Sequence, residues 1–115
     1  MTLHDIFLNQ EFFVGELKNI QLPTKNYDLI RESALGIFAE LGEVLSVDKN
    51  WKTWRTDKHS YDENDLKEEI ADVWIFLINL TLSNNIDSDE IIELINKKQR
   101  KNLYRFLPSD QTERK

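Results

Sequence analysis

Apolar residues recur every three to four positions along most of the chain, and that period predicts four helices. The first covers about Leu3 to Ile20. Ile6, Phe7, Phe13, Val14, Leu17 and Ile20 form its stripe, Thr2 can cap it, and Gln21-Leu22-Pro23 ends it. The second starts near Thr24 to Asn26 and runs to about Val47. Ile30, Ala34, Ile37, Leu41 and Val44 line one side, widened by Phe38 and Leu45. The third begins at Asp62, with Tyr61 and Leu66 placed as a hydrophobic staple, and reaches about Ser83. Its residues 73–82 are apolar on nearly all sides, which predicts a central helix or one buried at an oligomer interface. The fourth has the clearest start, with Asp87 as cap, Glu90 closing the box, and Ile86 and Ile91 as the staple. Pro108 should stop it, leaving residues 109–115 as a frayed tail behind one domain spanning 1–108.

Three features interrupt this pattern. Gly36 and Gly42 each cost a helix interior about 1 kcal/mol relative to Ala. Either the second helix tolerates them, or a partner helix or ligand approaches closely there. Asn79 breaks the apolar surface of the third helix, one heptad beyond Asp72, and a core hydrogen bond is its plain explanation. Between the second and third helices lies a polar connection holding Trp51, Lys52, Trp54 and Arg55. Such tryptophans usually fold back onto a core edge. Alternated with cations, they can also form a wall where a base stacks and phosphate is met.

Composition narrows the class. Three glycines and two prolines in 115 residues supply too few turns for a β architecture, so the fold class is all-α. A net charge of −6 argues against nucleic acid as a partner, which would need a basic patch to meet phosphate. The absence of cysteine rules out disulfides and thiolate metal sites, and a reducing, cytoplasmic setting is expected. The apolar run from Val73 to Leu82 is too short for a bilayer, which needs about 20 residues, so no membrane association is expected.

The chemistry sits in two acidic pairs. Glu40 and Glu43 are one turn apart on the second helix, in a segment otherwise rich in apolar residues. Glu69 and Asp72 repeat that spacing on the third, with Glu68 beside them, and run straight into Val73-Trp74-Ile75-Phe76-Leu77. With 21 acidic residues, one pair at this spacing is unremarkable; two on separate helices, both abutting apolar runs, point to a shared divalent cation. Magnesium takes oxygen ligands and keeps waters, so carboxylates from facing helices suit it and would let it grip a phosphate chain. Di-iron chemistry is disfavoured, since neither His4 nor His59 follows a glutamate by three residues.

These motifs resemble the all-α nucleoside triphosphate pyrophosphohydrolases, the superfamily of MazG proteins, dimeric dUTPases and dCTP pyrophosphatases. Ala39-Glu-Leu-Gly-Glu43 is similar to the first metal motif and Glu68-Glu-Ile-Ala-Asp72 to the second. Lys98-x-x-x-Asn102-x-x-Arg105 is similar to a late phosphate-contacting segment. The resemblance implies a four-helix MazG-like bundle that assembles as a tight homodimer or homotetramer. It further implies magnesium-dependent hydrolysis, with manganese as an alternative ion, of a nucleoside triphosphate to monophosphate and pyrophosphate. Catalytic and metal-holding roles fall to Glu40, Glu43, Glu69 and Asp72. Substrate contacts fall to Trp51, Lys52, Trp54, Arg55, Asn79, Lys98, Asn102 and Arg105, and a pyrimidine deoxynucleotide, dUTP or dCTP, is the expected substrate. Leu3-x-x-Ile6-Phe7-x-x-Gln10 and the tryptophan loop resemble dimeric dUTPases, while the short chain is more similar to the other two branches. Trp74-Ile75-Phe76 stands where dimeric dUTPases often carry a histidine. The alternative class is a helical module that binds a nucleotide or partner without turning it over.

Overall fold

The computed structural model describes residues 1–107. Four long helices account for most of them: α1 (Leu3–Lys18), α2 (Tyr27–Val47), α3 (Glu63–Leu82) and α4 (Ser88–Phe106), with a short 3-10 turn at Lys49–Trp51. No strand occurs among the described residues, and one isolated antiparallel bridge joins Lys25 to Asn84. Pro108 and the expected tail lie outside the described residues.

Each helix begins where its side chains can satisfy orphan N–H groups. Thr2 and Asp5 form a reciprocal capping box on α1, Asn26 accepts from Leu29 N–H, Asp62 from Asn64 and Asp65, and Asp87 from Glu90. The first helix stops two residues before the expected Ile20. Asn19 takes a left-handed conformation, φ 54°, and both Asn19 and Ile20 N–H donate to the Gly15 carbonyl. Asparagine reaches that conformation more cheaply than most residues, so it is a C-cap the apolar period does not announce.

Packing is uneven along the molecule. The helices α2 and α3 form the principal pair, α1 lies on α3, and α4 leans mainly on α1. Phe7, Val14, Leu22, Leu29, Ile78 and Leu82 make the buried core, with Leu3, Ile20 and Ile91 against it. That core gathers where the end of α3 meets the start of α2, and there the two connecting loops also bond. Thr24 N–H donates to the Leu82 carbonyl and Asn26 N–H to that of Ser83. The opposite stretch, around Glu40 and Asp72, has no such core. There Phe38 and Trp74 are 72% and 60% exposed, and Leu41, Leu45 and Ile70 are exposed too. Around the acids, therefore, much of the apolar surface of α3 is uncovered by the described residues.

The two glycines of α2 divide. A Cβ at Gly36 would lie 2.5 Å from ring atoms of Phe76, so α3 does approach closely there. Gly42 has nothing within 4 Å.

Candidate metal centre

The central α2–α3 pair positions the acids. Glu40 comes from α2 and Glu69 and Asp72 from α3, one helical turn apart, so both α3 acids share a face. Glu40, Glu69 and Asp72 each offer an oxygen, and these oxygens lie within 4.8 Å of one another. All three residues are half-buried. Glu43 is exposed beside them, near enough that its charge helps raise the Glu69 carboxyl, and Glu68 is exposed outside the trio. The Glu69 pKa is raised above its ordinary value first by a hydrogen bond with Glu40. Partial desolvation follows, and then the charges of Glu40, Asp72 and Glu43. Carboxylates this close cannot all ionise comfortably unless a proton or a cation is shared among them. The donor set is all oxygen, hard and anionic, and half-buried, which fits magnesium or manganese and offers nothing to a soft metal.

The connecting loop stands at the end of α2. Trp51 Nε1–H donates to the Leu45 carbonyl at 3.0 Å, which ties the ring to the helix. Trp54 meets it edge to face, centroids 5.7 Å apart, and Lys52 Nζ lies 5.6 Å from the Trp51 ring. The tryptophans do not fold into the core: Trp54 is 72% exposed. Arg55 forms a forked pair with Asp57, at 3.2 and 3.1 Å, and His59 reaches the same carboxylate. That pairing was invisible in the residue pattern, and it occupies a cation expected at phosphate.

Asn79 is buried, and its Oδ1 accepts from Gln10 Nε2 at 2.9 Å, the core hydrogen bond its position suggests. These two amides, with Ser33, Phe76 and residues of α1, line a cavity of about 260 Å³. Ser33 Oγ there is buried without a hydrogen-bond partner, and nothing in the helical pattern singled it out. Lys98, Asn102 and Arg105 are exposed on α4, which packs on α1 and makes at most slight contact with the α2–α3 pair. A single chain thus assembles three of the four acids, with the fourth beside them. It holds the tryptophan loop near one helix end and leaves the α4 cations apart.

A search of curated proteins and a search of solved structures found no match. A family profile described as dUTPase matches residues 2–112, nearly the whole chain and both acidic pairs. The short chain had favoured other branches of the superfamily; the match falls on the branch that the opening motif and the tryptophan loop resemble. The chain belongs to the dUTPase family of all-helical nucleotide pyrophosphohydrolases.

Proposed function

We propose that the protein hydrolyses a pyrimidine deoxynucleoside triphosphate, dUTP ahead of dCTP, to the monophosphate and pyrophosphate in a magnesium-dependent reaction. The observation that carries this reading is the convergence of Glu40, Glu69 and Asp72 from two helices, in a chain matched by the dUTPase family over residues 2–112. These three, with Glu43, would hold the cation, manganese being the alternative. When bound, such an ion neutralises phosphate charge and makes a coordinated water more acidic. The acids orient a water toward the α-phosphorus, and one carboxylate takes its proton as the bond to the bridging oxygen breaks. Pyrophosphate leaves with that oxygen. Lys52, and Arg55 once released from Asp57, would meet phosphate from the loop. Trp51 and Trp54 offer faces for a base, and Asn79, oriented by Gln10, offers an amide from the helical cavity.

The α4 cations favour a partner copy as their target, because α4 makes at most slight contact with its own chain's carboxylate helices. The exposed apolar surface of α2 and α3 supports the same assembly. Glu40→Gln and Asp72→Asn are each expected to lower turnover by about a hundredfold or more while helical circular dichroism is kept. Full activity in either variant would overturn the assigned roles.

A further inference from the structure

The α2–α3 register places Gly36 and Phe76 one turn from the acids on both sides. Glu40 lies four residues beyond Gly36 on α2, and Asp72 lies four residues before Phe76 on the antiparallel α3. Residues four apart share a helix face, so the glycine contact and the Glu40–Asp72 contact are successive rungs of one ladder. At the first rung the helices are as close as a glycine permits. An added Cβ would lie 2.5 Å from Cδ1 and Cε1 of Phe76 and 2.9 Å from its Cγ. Ordinary carbon contacts begin near 3.5 Å, so about 1 Å of separation would have to come from the ring or from the helices. The three ring atoms met are contiguous, along one rigid side of the phenyl group.

We propose that Gly36 is a positioning residue that sets the spacing of Glu40 against Glu69 and Asp72, and thereby the preference of the site for magnesium over calcium. The inference rests on the metal-holding role argued above. Magnesium requires near-octahedral ligands at about 2.0–2.1 Å, whereas calcium accepts looser geometry at about 2.3–2.6 Å. A helix pair wedged apart one turn from the acids loses the smaller ion first. Gly42, whose added methyl meets nothing within 4 Å, supplies a control for helix propensity on the same element.

The test is titration of the full chain with magnesium chloride and with calcium chloride, read by calorimetry and by the shift in melting temperature. Gly36→Ala should weaken magnesium about tenfold or more and calcium by less than about threefold, with helix content kept. Gly42→Ala should leave the ratio of affinities unchanged, and Gly36→Ala combined with Phe76→Leu should restore it. An unchanged ratio in Gly36→Ala, as when the ring swings into the neighbouring cavity and the helices stay put, overturns the inference. Should that variant not fold, Phe76→Trp thickens the other side of the contact and must lower the ratio instead; a wild-type ratio there overturns the inference equally. A wild-type chain that binds neither ion overturns the metal reading itself, and the inference with it.

Discussion

Glu69 stands among three other carboxylates, Glu40, Glu43 and Asp72. Its carboxyl is held above its ordinary value by the hydrogen bond with Glu40, by desolvation, and by three neighbouring acids. A raised folded-state value means the folded chain keeps a proton that the unfolded chain has released. Stability from this group is therefore full below the unfolded value and falls as pH rises through the folded one. Without metal, Glu69→Gln should gain melting temperature relative to wild type as pH rises from about 4 to about 8. Magnesium should raise the melting temperature of wild type and barely move the variant. Parallel pH profiles for the two proteins would contradict this account of the cluster. The acidic spacing was readable because it repeats on two helices. The Arg55–Asp57 pair was not, since loop partners carry no period, and the orphan Ser33 hydroxyl looks like any small polar residue until its burial is known.

Among the elements, the caps were the most legible feature, because each is a local bargain between one side chain and nearby N–H groups. Asp62 serves two of them, at 2.9 and 3.2 Å, at the start of the helix that carries Glu69 and Asp72. Asp62→Ala should cost about 1 kcal/mol in denaturant unfolding; a loss within experimental error would show that α3 is held by packing alone. The meaning of Gly36 was not legible in the same way. Whether a helical glycine is tolerated or required depends on what stands opposite, and Phe76 is forty residues away in the chain. Asn79 shows the middle case: its need for a partner followed from its apolar setting, while Gln10 as that partner needed the α1–α3 contact.

The whole molecule is more open than its length predicts. Its radius of gyration is 18.0 Å, against about 13 Å for a compact chain of this size. Phe12 and Phe13 on α1, Phe38 on α2, Trp74 on α3 and Ile95 on α4 are all at least half exposed. Apolar area on this scale marks an interaction surface, and the proposed occupant is a second copy, whose α4 cations would then be free to meet a carboxylate site. Analytical ultracentrifugation should find a dimer or larger assembly. Trp74→Glu, which puts a charge on the uncovered face of α3, should shift it toward monomer and lower activity with it; an active monomer would remove the need for a partner.

The reaction itself is tested most directly by offering the purified protein each common nucleoside and deoxynucleoside triphosphate with magnesium. Pyrophosphate and orthophosphate would be scored separately, and Glu40→Gln run alongside. Pyrophosphate and monophosphate are expected in equal amounts, with dUTP the best substrate and both products lost in the variant. Orthophosphate release, or a folded, magnesium-binding protein that leaves every triphosphate intact, would contradict the proposed reaction.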